Sequence, residues 1–279
     1  MYEEVSSVVE WSRTAILGSL EEFKDIYDGR PIKDNRFGMK APHLFGLWFM
    51  ARALEPDLIV ESGVWKGQST WFLEQACPSA DLISIDINLD AREYVSETAT
   101  YSDLDFSEHD WDVDGDRTLV FFDDHQNGYR RIQQCHWMGF KHAIFDDNYP
   151  SGQGDCYSLK KAFAGSGHQA HPQASRGLRS AAFRATSRVA KVLATGTHQH
   201  TRDEVRPNTS DARLLRRHLH TYYEFPPLFR QPRTRWGDTW DDETYPTPEP
   251  ILHESDRDRY PEYWEESSHY TWMCYARLR

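Results

Sequence analysis

The stretches "LVFFDDHQ" (119–126) and "HAIFDDNYP" (142–150) are both apolar runs of strand length that stop abruptly on two acidic residues, Asp123-Asp124 and Asp146-Asp147. Asp and Asn after a strand often cap a helix or build a turn, and for one such pair that account suffices. Two successive pairs pose a harder problem. If the strands are neighbours, four carboxylates crowd together, and each disfavours ionisation of the others unless a positive charge compensates them.

A second chemical signal lies upstream, in "VESGVWKGQSTW" (60–71). Gly63 and Gly67 allow a tight turn and a close ligand approach to the start of a helix, behind the acid Glu61. The Gly-x-x-x-Gly spacing is neither the dinucleotide fingerprint nor a P-loop. Asp86 ends the next apolar run, where a carboxylate can take both hydroxyls of a ribose. A glycine turn followed by such an acid points to a nucleoside cofactor without saying which one.

The stretch "DLIVESGVWKGQSTWFLEQACPSADLISIDIN" resembles the S-adenosylmethionine site of class I methyltransferases. Over residues 38–165 the chain is most similar to the metal-dependent small-molecule O-methyltransferases, of which catechol O-methyltransferase is the best known. The resemblance implies cofactor contacts from Glu61, Gly63, Gly67, Ser69 and Asp86, from Met39 in an upstream closing segment, and from Asp105 at the adenine. It also implies a divalent cation, Mg2+ or a similar ion, held by Asp124, Asp147 and Asn148, with Asp123 and Asp146 as alternates. Two carboxylates and an amide oxygen suit magnesium. With no cysteine beside either pair in the sequence, a soft-metal site is disfavoured.

The implied reaction is transfer of the sulfonium methyl to a hydroxyl whose pKa the cation lowers while a base takes the proton. The catechol enzymes carry a lysine base three residues after the first metal aspartate, where this chain has Asn127. That departure moves the role of base to His125, with the unused aspartate of the doublet next, and weakens a catechol acceptor. Tyr222, Tyr223, Arg233, Arg235, Trp236, Asp238 and Trp240 lie in a proline-punctuated stretch (222–250) that suits a sugar or glycosylated acceptor.

Positioning these residues requires alternating strands and helices. "DLIVESG" (57–63), "DLISIDIN" (81–88), "RTLVFFDD" (117–124) and "KHAIFDD" (141–147) read as strands, with a weaker one at 99–106 and a last one at 269–279. Helices fall at 41–54, 68–77, 129–138, 155–163, 176–195 and about 210–220. The alternation predicts an α/β, Rossmann-like fold, a mostly parallel sheet covered on both faces. Its expected parts are an N-terminal helical cover (1–55), a cofactor and metal core (56–165), a substrate-recognition insertion or lid (166–250) and a segment completing the sheet (251–279).

The net charge of −12 disfavours nucleic acid as a partner. It is uneven: residues 81–125 hold fourteen Asp or Glu against Arg92 and Arg117, whereas 165–220 hold ten Lys or Arg against three acids. No apolar run reaches membrane length, and "MYEEVSSVVEWSR" lacks a signal-peptide pattern. Cys77, Cys135, Cys156 and Cys274 stand far apart. A cytoplasmic enzyme with a small-molecule substrate is the expectation, its oligomeric state open. The rivals are a metal-independent or catechol-type methyltransferase and a non-catalytic module that binds a nucleoside or a glycan.

Overall fold

In the computed structural model, which describes residues 4–167 and 208–279, seven strands form one sheet in the order β3-β2-β1-β4-β5-β7-β6. The strands are β1 (Leu58–Ser62), β2 (Asp81–Ile85), β3 (Thr100–Ser102), β4 (Thr118–Phe122), β5 (His142–Phe145), β6 (Leu219–Phe225) and β7 (Met273–Leu278). β1 to β5 pair in parallel, and β7 runs antiparallel to both of its neighbours. The carboxyl ends of the five parallel strands therefore share one rim, where open α/β sheets place their ligands.

The central strands are apolar throughout because both faces are covered. On one face α2 (Leu20–Gly29), α3 (Ala41–Leu54), α4 (Gln68–Ala76) and the short α8 (Pro261–Glu266) enclose Trp48, Phe72, Ile59 and Phe121. On the other, α5 (Gly128–Met138), α6 (Leu159–Phe163) and α7 (Thr209–His218) enclose Val60, Val120, Ile132 and Leu215. A short α1 (Arg13–Gly18) precedes α2. α3 is apolar all round and lies buried under the N-terminal helices; it stops at Glu55, a left-handed cap ahead of Pro56. Among the described residues no helix is long and apolar enough to cross a membrane.

The expected strands and the helices at 41–54, 68–77 and 129–138 are present within a few residues. The expected helix at 155–163 is confined to α6, since Ser158 caps it and the residues before it form a loop. The helix expected at 176–195 lies outside the described residues. One strand was missed. Residues from 219 form β6, the sheet's edge, rather than the end of a helix and the start of a loop. Its β-favouring residues (Thr221, Tyr222, Tyr223 and Phe225) are a strand signal, overshadowed by the Pro226-Pro227 that follows. The N-terminal segment covers part of this edge through a bridge between Ser6 and Thr221.

Candidate active site

Glu61, on the central strand β1, is fully buried. Its Oε2 accepts hydrogen bonds of 2.7 Å from Thr70 Oγ1 and from Ser84 Oγ. Burial, only partly offset by these hydroxyls and that of Ser69, pushes its carboxyl up to about 7. Its other oxygen, Oε1, is buried without a hydrogen-bond partner. Ser69, expected at the cofactor, is itself buried and turned toward Glu61.

The two glycines serve the protein's own backbone. Gly63 has φ +103°, and a Cβ there would stand 2.3 Å from the Asp123 carbonyl oxygen; Gly67 has φ +88°, and its Cβ would stand 2.3 Å from the Tyr94 carbonyl oxygen. The glycine turn and the first acid pair are thus in direct backbone contact. Asp86 grips the same turn: Oδ2 accepts from the Val64 and Trp65 amides, both at 2.9 Å, and Oδ1 from Asn88 N–H at 2.8 Å. Met39 packs in the core, and its carbonyl accepts from the Asn35 amide.

Each acid of the two doublets has a different environment. Asp124 is taken by Arg131, with Nη2 2.7 Å and Nε 2.9 Å from Oδ2, and by the Ser62 hydroxyl at 2.8 Å. Arg131, on α5 and 4% exposed, also pairs with Asp105 at 2.6 Å. Those hydrogen bonds hold the Asp105 carboxyl well below the usual carboxylate range. Asp146 pairs with buried His43 Nδ1, while His43 Nε2 accepts from the Thr271 N–H at 3.0 Å. Asp147 lies 2.8 Å from Nδ1 of His125, which is also 3.3 Å from Asp155. Burial opposes charge on His125, but Asp147 and Asp155 override it and push the imidazole up to about 12.

Asp123 differs from the other three. Among the described residues it makes no ion pair and no side-chain hydrogen bond, and burial, with the nearby Asp146 charge, raises its pKa well above the ordinary value. The positive charge that the crowded acids call for therefore comes largely from the side chains of Arg131 and His125, while His43 gives Asp146 a hydrogen bond.

The expected cation ligands are only partly brought together. Asp124 is committed to Arg131, and the Asn148 amide is used at both ends, its oxygen by Lys160 N–H at 3.0 Å and its nitrogen by the Tyr222 hydroxyl at 2.8 Å. A neighbouring set fits better: Asp123, His125 and Asp147 bring one ligand atom each within 4.8 Å of one another. Oδ2 of Asp147 is buried and, although close to His125, has no aligned hydrogen-bond donor. A shallow pocket lined by Asp123, His125, Arg131, Asp147 and Cys156 opens there.

Several of these residues gave little sign in the sequence. His43 is a lone imidazole in the buried, apolar part of its helix, a signal in itself, and Arg131 lies one turn into a helix beside buried Ile132 and Cys135. Trp65, Ile87 and Leu104 follow β1, β2 and β3 and are 48%, 87% and 49% exposed, a series of apolar side chains along the rim. Of the expected acceptor residues, Tyr222 is a β6 residue bonded to Glu224 and Asn148. Trp236 stacks on buried Trp272 at 6.3 Å and meets Tyr149 at 5.4 Å; Trp240 also packs on Trp272. Tyr223 packs edge-on against Trp11, whereas Arg233, Arg235 and Asp238 are exposed.

No family model matches the chain, and neither does any curated protein sequence. Solved structures similar to it include a putative O-methyltransferase from Klebsiella pneumoniae, 12% identical over 95% of this chain and 90% of that one, with a TM-score of 0.41. An S-adenosylmethionine dependent methyltransferase from Mesorhizobium loti is 14% identical over 83% and 97%, with a TM-score of 0.40. The O-methyltransferase TomG from Streptomyces achromogenes, in complex with SAM, is 16% identical over 53% and 67%, with a TM-score of 0.34. The functional reading rests on the site's own geometry.

Proposed function

We propose that this chain is an S-adenosylmethionine-dependent O-methyltransferase acting on a hydroxyl of a small molecule, preferably a sugar or another polyol. One observation carries the reading: the glycine turn after β1 backs directly onto the carbonyl of Asp123, the first acid of the β4 pair. A cofactor lying over the turn has its reactive end beside the acids.

The chain's residues divide the work accordingly. Glu61 Oε1 offers an unfilled acceptor below the turn. Trp65, Ile87 and Leu104 offer apolar contact for a purine along the rim. Asp123, His125 and Asp147 would hold a divalent cation, His125 giving up its proton to solvent as it binds. When bound, S-adenosylmethionine supplies the electrophilic methyl, and a divalent cation lowers the pKa of an acceptor hydroxyl. Without a bound cation, Asp123 is the proton acceptor of choice, because Asp124 is held by Arg131 and His125 carries charge between two acids. This revises the assignment of His125 and Asp124 as catalytic residues. A sugar is favoured by Trp236, half-buried where the 222–250 stretch meets Tyr149, two residues from Asp147.

The test is calorimetric titration of S-adenosylmethionine with magnesium and then with EDTA, followed by mass-spectrometric screening of sugars and catechols for methyl transfer. Micromolar binding and a methylated sugar are expected. Absence of cofactor binding under both conditions would sink the proposal. A metal-independent methyltransferase is the second reading, favoured by Arg131 and His125 supplying positive charge themselves. Full turnover in EDTA would select it.

A further inference from the structure

We propose that Lys40, Arg235 and His269 form an anion-binding subsite on the β5–β7 side of the rim, which takes a carboxylate or phosphate group of the methyl acceptor. This rests on the methyltransferase reading of the same rim and names the class of acceptor, a sugar or polyol that carries an acid group. The three side chains come from distant parts of the chain. Lys40 stands just ahead of α3, Arg235 lies in the 222–250 stretch, and His269 ends a single helical turn (Ser267–His269) that leads into β7. The turn at 234–238 is closed by Thr234 N–H on the Asp238 carbonyl and by Gly237 N–H on the Thr234 carbonyl, both at 2.9 Å, and Arg233 Nη1 donates to the Gly237 carbonyl at 2.8 Å. Trp236 pins that turn against Trp272 and Tyr149, with Arg235 beside it in solvent. His269 is tied to the acids through Thr271, whose N–H donates to the same His43 ring that grips Asp146.

Three observations point to an anion. Among the described residues the side chains of Lys40, Arg235 and His269 make no ion pair and no hydrogen bond, although the net charge of −12 leaves acids in excess. The three also lie close together. Burial, then the charge of Arg235, then that of Lys40 lower the His269 pKa, and no acid among the described residues counters them. His269 is therefore a neutral N–H donor beside two cations near pH 7. Finally, Lys40 occupies the N-cap of α3, a helix of 14 residues, without making a capping bond. A helix favours negative charge at that end, so a lysine there costs stability until an anion lies over it.

Charge then orients the acceptor. Its acid group lies at Lys40, Arg235 and His269, Trp236 offers a flat face to the ring, and the hydroxyl to be methylated points toward Asp123. The reverse orientation would bring the acid group against Asp123, Asp146 and Asp147, where like charges repel. Arginine can take a carboxylate or a phosphate through two parallel hydrogen bonds, and lysine adds a point charge. The cofactor's own carboxylate is the other possible source of the anion, but Arg235 belongs to the 222–250 stretch and not to the glycine turn.

The test is calorimetric titration of the full chain with D-glucuronate, D-glucose 6-phosphate and D-glucose, the first two separating a carboxylate from a phosphate preference. At least one acid sugar should bind about tenfold or more tighter than D-glucose, by a margin that shrinks as salt is raised. Arg235→Gln and Lys40→Gln should each cut that margin by about tenfold while S-adenosylmethionine binds as before. Equal affinity for the three sugars on the unmutated chain, or binding of none, overturns the proposal without recourse to a variant. A margin that survives both substitutions overturns it too. Loss of S-adenosylmethionine affinity in the variants, matching the loss for the acid sugar, would assign the cluster to the cofactor's carboxylate and also overturn it. S-adenosylmethionine binding with no preference for an acid sugar removes the subsite and leaves the methyltransferase reading. No S-adenosylmethionine binding removes that reading, and the acceptor assignment falls with it.

Discussion

The two halves of the rim stabilise buried acids by opposite means. On the β1–β2 side Glu61 receives only neutral hydroxyls, and Asp86 only backbone amides. On the β4–β5 side Asp124, Asp146 and Asp147 each face a basic side chain, and Asp123 has none. Neutral donors leave a buried carboxyl easy to protonate, whereas ion pairs lock it in the charged form. The first half is thus suited to a ligand that brings its own charge, such as a sulfonium cofactor. The second holds a standing excess of negative charge that an added cation can balance.

Removing Arg131 should have the largest effect, because Arg131→Met leaves Asp124 and Asp105 without their shared cation. A loss of about 3 kcal/mol in urea-denaturation stability is expected, the low end of the cost of stranding a buried charge, because Asp124 is 14% exposed and Asp105, 40% exposed, is screened by water. A loss under about 1 kcal/mol would mean that the ion pairs on this side are not needed, and the contrast would fail.

Glu61 tests the other side through pH. Its carboxyl is raised from 4.5 to about 7 in the folded chain, so the folded state binds the extra proton. The associated stability is fully present below about pH 4.5 and is lost as pH rises through 7, a span of about 3 kcal/mol. Glu61→Gln should flatten this slope, so that between pH 5 and pH 8 the variant gains relative to the unmutated chain in chemical denaturation. An unchanged slope would assign the pH dependence elsewhere.

Gly63 sits where the halves touch. Gly63→Ala adds a Cβ 2.3 Å from the Asp123 carbonyl at a positive φ. A cost of about 2–3 kcal/mol and weaker cofactor binding are expected. Gly139→Ala, also at positive φ but with nothing within 4 Å, should cost about 1–2 kcal/mol and leave the cofactor untouched. Equal effects in calorimetry would remove the significance of the contact. The smallest change is Ser62→Ala, which deletes one hydroxyl donor to Asp124 while Arg131 stays; about 1 kcal/mol is expected.

Much of this could be read from the chain itself. Apolar runs such as "TLVFF" and "HAIF", short and bounded by turn residues, read as buried strands, and helices between them imply a parallel sheet. With that topology the glycine turn, Asp86 and both acid pairs must reach one rim, because every parallel strand ends there. Strand β6 was less legible, since seven residues at a sheet edge depend on pairing with β7 for their conformation.

What the sequence by itself determined is the order of elements and the clustering of carboxylates at the carboxyl end of the sheet, for both follow from local pattern and chain connectivity. It could not decide which acid of each doublet is available. Successive side chains leave a strand end in different directions, and their partners come from distant segments: Arg131 from α5, His43 from α3, Tyr222 from β6. Only the folded chain brings Arg131 against Asp124, leaves Asp123 without a basic partner and returns Cys156 to Asp147. Charge compensation in a buried site depends on distances of a few ångströms in space, and separation along the chain does not encode them.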